Sequence, residues 1–132
     1  MKVLFDHNLS FRLARALDAV VGDQHDVKAL IDKFKPDVTD IEWISALNSE
    51  GHWIVISGDR RITRNRAERS AFQSSRLTGF FMSPGLKKAP VLKQLERLCA
   101  LWDNIIVLST AAQPGGLYEL PMKSSHPQPL RL

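Results

Sequence analysis

Trp53-Ile54-Val55-Ile56-Ser57-Gly58-Asp59-Arg60-Arg61 begins as an unbroken apolar run and ends in a carboxylate beside two arginines. A strand with one face in water needs a polar residue at every second place. Ile54-Val55-Ile56 has none, so both of its faces are covered. Val3-Leu4-Phe5 has the same form and is followed at once by an acid, Asp6. A third such run, Ile105-Ile106-Val107-Leu108, lies toward the other end of the chain. Strands buried on both faces belong to a parallel sheet with helices on either side.

Working outward from these runs, the strands fall at 2 to 5, 25 to 30, 53 to 57, 78 to 82 and 104 to 108. Between them, Leu9, Leu13 and Leu17 repeat every fourth residue and predict a helix over 9 to 20. Thr39-Asp40-Ile41-Glu42 has the form of a capping box and opens a second helix that stops near Gly51. A weaker helical stretch covers 63 to 75, with Asn65 and Glu68 as a cap pair. The fourth helix starts at Pro90 and turns Val91, Leu95, Leu98, Cys99 and Trp102 toward the sheet. Alternating strands and helices with buried strands predict an α/β fold, a three-layer α/β/α sandwich with a mainly parallel sheet of about five strands. After Thr110 the pattern gives way to six prolines and glycines. Residues 1 to 110 therefore read as the folded domain and 111 to 132 as an extended or disordered tail.

The chain of 132 residues, 44% hydrophobic and 24% charged, has the composition of one ordinary domain with enough core to fold without a disulfide or zinc staple. Cys99, the one cysteine, reads as a small core residue in a reducing compartment. No apolar run approaches the roughly 18 residues needed to cross a bilayer, so the reading is cytoplasmic, with no membrane partner. The formal net charge of +4 divides unevenly. Residues 1 to 57 carry nine acids against six bases, whereas 58 to 132 carry twelve bases against five acids. Six of those bases are arginines between Arg60 and Arg76, either a patch for a polyanion or a solvated helix face.

In open parallel sheets, ligands bind beyond the carboxyl ends of the strands. The residues that matter there are Asp6-His7-Asn8 after the first strand and Gly58-Asp59-Arg60-Arg61 after the third, with Asp37, Thr39 and Asp40 leading into the second helix. Counted as an ordinary crossover, the helix opened by Asp40 would place it on the opposite rim from Asp6 and Asp59, unless 31 to 40 crosses back. Three carboxylates gathered without neutralisation repel, so their meeting implies a cation. Hard oxygen donors of this kind suit Mg²⁺ or Mn²⁺ with a substrate phosphate in the shell. Each residue also has a plainer reading. Asp40 is favoured in a first helical turn by the dipole alone, Asp59 suits a turn, Asn8 can cap the first helix, and Glu68 can pair with Arg64 or Arg61. The four histidines show no ligand spacing. No glycine-rich nucleotide loop and no Gly-x-Ser-x-Gly elbow exist. Asp6-His7-Asn8 lacks the second acid of an aspartyl-phosphate phosphatase, and Ser109-Thr110 stand where a phospho-acceptor receiver wants a lysine.

Met1 to Ser10, Leu13-Ala14-Arg15-Ala16-Leu17, Thr39 to Ile44 and Ile54 to Ile62, in that order, resemble the short PIN-like domains of VapC-type toxins over roughly residues 1 to 85. The resemblance implies a metal-dependent endoribonuclease, the toxin of a toxin–antitoxin pair. Asp6, Asp40 and Asp59 would be its catalytic Mg²⁺ or Mn²⁺ ligands and Asn8 an orienting residue. It also implies that Asp40 reaches the same cleft as Asp6 and Asp59. A further glutamate of longer PIN domains is missing between residues 9 and 36, and Glu68 is the candidate to replace it as a metal ligand. The basic segment offers Arg60, Arg61, Arg64 and Arg66 as RNA contacts. The implied partners are an RNA substrate (tRNA, rRNA or mRNA), a cognate antitoxin protein and a second copy in a homodimer. The alternative is a catalytically inactive module of the same fold that binds RNA or a protein.

Overall fold

Residues 1–130 are described by the structure, a computed structural model. Lys2–Phe5 (β1), Asp26–Ala29 (β2), Trp53–Ser57 (β3), Thr78–Met82 (β4), Leu117–Leu120 (β5) and Gln128–Pro129 (β6) form one sheet in the order β2-β1-β3-β4-β5-β6. β1 to β5 run parallel, and β6 pairs antiparallel with β5. The helices are Phe11–Val21 (α1), Leu30–Lys33 (α2), Asp40–Glu50 (α3), Arg61–Arg64 (α4), Arg66–Gln73 (α5), Pro84–Lys88 (α6) and Val91–Ala111 (α7).

The unbroken apolar strands serve two cores. Val3, Phe5, Ile54 and Ile56 pack with Leu13 and Leu17 of α1 and with Leu98, Leu101 and Ile105 of α7. Leu4 and Val55 point the other way, against Trp43, Ile44 and Leu47 of α3 and Phe72 of α5. The molecule is the α/β/α sandwich with a mainly parallel sheet that the strand pattern predicts. Its first strands lie in the order 2-1-3-4-5, which reverses direction between β1 and β3 and leaves a crevice at their carboxyl ends.

Several expectations are corrected. Residues 104 to 108 are not a strand: they continue α7, in which Leu98, Leu101, Trp102 and Ile105 repeat at helical spacing on the buried side while Val107 is 66% exposed. No proline or glycine interrupts 91 to 112, so the amphipathic helix runs through a stretch whose β-branched residues favour a strand locally. The fifth strand is Leu117–Leu120 instead, within the stretch 111 to 132 that reads as an extended or disordered tail. Pro114 and Gly115 occupy the middle of a tight turn, with Gly115 at φ 80° and the Gly116 N–H donating to Gln113 O at 3.2 Å. That is the chemistry of a type II turn, and it returns the chain into the sheet as β5. A Cβ at Gly115 would collide with the Gln73 carbonyl, a second reason for glycine there.

Cys99 is exposed rather than buried, because it lies on the outer side of α7 with Leu92, Glu96, Asp103 and Val107. The stretch 63 to 75 is two helices, α4 and α5, parted at Asn65, whose side chain caps α5 by accepting from the Glu68 N–H at 3.0 Å. The capping box at Thr39 and Glu42 is present as expected. Asp40 needs no special crossing to reach the carboxyl rim. In a parallel unit the crossover helix runs antiparallel to the strands, so α3 begins on the rim where β2 ended.

Candidate active site

Asp6, Asn8, Asp40, Asp59 and Arg61 stand on the rim at the carboxyl ends of β1 and β3. Asp6 follows β1 directly, and because the strand is covered on both faces its carboxyl is 1% exposed. Its Oδ1 accepts from the His7 backbone N–H at 2.7 Å and lies 2.9 Å from His7 Nδ1. The Ser57 hydroxyl, at the end of β3, is 3.2 Å from its Oδ2. Asp40, the first residue of α3 and 8% exposed, accepts from the Trp43 indole N–H at 2.9 Å. The buried indole thus fixes the direction of that carboxylate.

The Arg61 guanidinium joins the two acids. Its Nη2 donates to Asp40 Oδ1 at 3.2 Å and stands 3.9 Å from Asp6 Oδ2. Glu68, in the first turn of α5, lines the same cleft as His7, Asp40 and Arg61. Burial pushes the Asp6 carboxyl above its ordinary pKa, and the Asp40 charge adds to the rise against the opposing pull of His7 and Arg61. Glu68 is raised too, first by burial and then by Asp40.

Asp59 is oriented differently. Its Oδ2 pairs with Lys87 Nζ at 2.6 Å, and its Oδ1 accepts from the Arg61 backbone N–H at 2.9 Å and from Asn8 Nδ2 at 3.2 Å. Burial alone would raise its pKa, but the Lys87 ammonium and the Arg61 N–H outweigh it and hold Asp59 below the usual range. Asn8 does not serve as the cap of α1, a place taken by Ser10. It stitches the two strand ends together: its Oδ1 accepts from the Gly58 N–H at 2.8 Å, and its Nδ2 donates to Ser57 Oγ at 3.0 Å as well as to Asp59. A Cβ on Gly58 would press on Leu9 and the Asn8 backbone, so glycine is what lets these loops approach.

The structure therefore brings Asp6 and Asp40 together on Arg61, with Glu68 lining the same cleft, and sets Asp59 beside them, turned to Lys87. As they stand, no group of three metal-ligating side chains is poised to hold an ion among the described residues. In donor chemistry the residues still fit a hard divalent cation. Asp6 and Asp40 are largely buried carboxylates, and the positive charge they share is supplied by a guanidinium. Of the expected RNA contacts, Arg61 lies on these acids, Arg60 and Arg64 line a separate cavity beside Asp59, and Arg66 is exposed at the start of α5.

Four participants have no role assigned from the sequence: His7, Ser57, Trp43 and Lys87. The same rule that singled out Asp6 and Asp59 reaches Lys87 when it is applied to β4, since residues 83 to 88 follow that strand on the same rim. Among the described residues no helix is long and apolar enough to cross a membrane. No curated protein and no solved structure matches the chain. The family described as the PIN like domain matches residues 1–84, which span β1 to β4 and every residue of the acidic cleft. The chain belongs to the PIN like domain family.

Proposed function

We propose that this protein is a metal-dependent endoribonuclease that hydrolyses RNA phosphodiester bonds at the β1–β3 rim, as the VapC-type toxin of a toxin–antitoxin pair. The PIN like domain is a nuclease-type fold, and the observation that carries the finer reading is the meeting of Asp6 and Asp40 on one guanidinium at the crevice of the sheet, with Glu68 lining the same cleft. In this reading Asp6 and Asp40 would hold Mg²⁺ or Mn²⁺, with Glu68 as the further acid and Asp59 on their flank. A bound divalent ion would supply a polarised phosphate oxygen and a more acidic water.

The chain's own residues do the rest. Asn8 and Ser57 keep the two strand ends in register, so that the acids stay on one wall of the cleft. Trp43 keeps Asp40 aimed inward. Arg61, seated on the rim beside Asp40 and Asp6, is placed to meet a phosphate oxygen, where its planar fork suits bidentate contact. Water adds to phosphorus as the bond to the leaving ribose oxygen breaks, the attacking water giving up a proton to solvent and the departing oxygen taking one from solvent. An antitoxin would be a protein that covers this rim.

The test is incubation of the protein with structured RNA and Mg²⁺, with and without chelator, beside Asp6→Asn and Asp59→Asn. Cleavage should require the metal and fall roughly a hundredfold or more in Asp6→Asn, the scale seen when one group stabilising developing charge is removed. Cleavage that survives both substitutions would overturn the site. A second reading, a non-catalytic RNA- or protein-binding module, is favoured by the internal pairing of the acids with Arg61 and Lys87. RNA affinity with no turnover in any divalent metal would select it.

A further inference from the structure

Beside Asp59, on the side away from Asp6, lies a cavity of about 340 Å³ that the acidic cleft does not include. One wall is the turn Gly58-Asp59-Arg60 with Arg64 of α4; the other is Lys87 and Lys88 at the end of α6. Arg64, Lys87 and Lys88 alone outnumber the one carboxylate among the lining residues, Asp59, which is already paired with Lys87. Met82 and Pro84 give the same cavity an apolar side. A concave site with excess positive charge and an apolar wall suits a phosphate attached to a ribose or base better than it suits a bare acidic side chain. Asp59 is shared between the two places, bonded through Asn8 to the Asp6 side and through Lys87 to the cavity. Lys87 and Lys88 lie outside residues 1–84, so this wall belongs to the chain and not to the matched family region.

We infer that this cavity is an RNA-backbone subsite. It takes the phosphate and ribose next to the phosphodiester held at Asp6 and Asp40, with Arg64 and Lys88 as the phosphate contacts and Lys87 coupling the subsite to Asp59. This rests on the nuclease reading above, extends it to the path of the substrate, and predicts that the strand crosses the rim over Asp59.

The experiment reads binding rather than activity. Fluorescence anisotropy of a labelled single-stranded decaribonucleotide is measured in EDTA over a series of salt concentrations. The proteins compared are wild type, Arg64→Ala/Lys88→Ala, and a control with the same charge loss elsewhere, Arg12→Ala/Lys123→Ala. All four side chains are exposed, so both variants should fold, and circular dichroism checks that they do. Lys88→Glu alone repeats the test by charge reversal. For single strands each phosphate contact contributes about 0.7 to the slope of log affinity against log salt. The cavity variant should therefore lose about 1.4 in slope and on the order of tenfold or more in affinity, with the control near wild type. An unchanged slope, an equal loss in the control, or an equal loss for polyglutamate would overturn the subsite. If the cavity variant loses binding while the wild type never cleaves RNA in Mg²⁺, the subsite stands and the nuclease reading falls. If the wild type cleaves and the slope does not change, the nuclease reading stands and the subsite falls.

Discussion

At the scale of single residues, burial governs the chemistry of Asp6. A carboxyl that is 1% exposed is raised above the ordinary range because its charged form loses water, and the neighbouring Asp40 adds to the cost. A folded-state pKa above the unfolded value gives stability that is fully present below the unfolded pKa, about 4, and that is lost as pH rises through the folded pKa. Ionised Asp6 therefore works against folding at neutral pH, as expected of a side chain kept for function. Asp6→Asn keeps the shape and removes the charge. Its melting temperature should exceed that of the wild type at pH 7.5, and the difference should shrink as the pH falls toward 4. A wild type more stable than Asp6→Asn at pH 7.5 would show that His7 and Arg61 more than compensate the buried charge.

At the scale of elements, the clearest lesson is α7. Ile105-Ile106-Val107-Leu108 looks the same as a buried strand to any reading of local composition, and only the longer repeat of Leu98, Leu101, Trp102 and Ile105 tells otherwise. The two readings differ in what they expect of neighbours: a strand covered on both faces buries Ile105 and Val107 alike, whereas the helix buries Ile105 and leaves Val107 outside. Ile105→Ala should cost about 2–5 kcal/mol of unfolding free energy by chemical denaturation, and Val107→Ala should stay within about 0.5 kcal/mol. Equal losses at the two positions would contradict the helix. The true last parallel strand was hidden for the opposite reason: Tyr118 and Glu119 interrupt its apolar character, and β6 lies beside it. By contrast β1, β3 and the capping box of α3 were legible because burial on both faces and paired capping side chains leave marks within a few residues. The same division holds for the site. Acids that follow buried strands can be read in order along the chain. The turning of Asp59 toward Lys87 cannot, because it depends on an ion pair between residues 28 apart.

At the scale of the molecule, the segment after Thr110 completes the fold. β5 covers the edge of β4, with Leu120 fully buried, and the buried Arg97 of α7 donates to the carbonyls of Pro121, at 3.1 Å, and Ser124. A chain ended at residue 110 would leave β4 as an exposed, apolar sheet edge. It should be insoluble or lose near-ultraviolet circular dichroism, and a soluble, native-like truncation would show the tail to be dispensable. The division of charge along the sequence also takes a spatial form here. Acids supplied by β1, α3 and α5 meet at the crevice, and the basic residues of α4 and α6 stand beside them. Whether that meeting makes a divalent cation site is tested most directly by calorimetric titration of Mn²⁺ into the metal-free protein, Asp6→Asn, Asp40→Asn and Arg61→Ala. One ion should bind the wild type, binding should be lost in both aspartate variants, and it should tighten in Arg61→Ala, where the competing guanidinium is gone. Binding that persists in Asp6→Asn and Asp40→Asn, or none in the wild type and Arg61→Ala alike, would contradict the account.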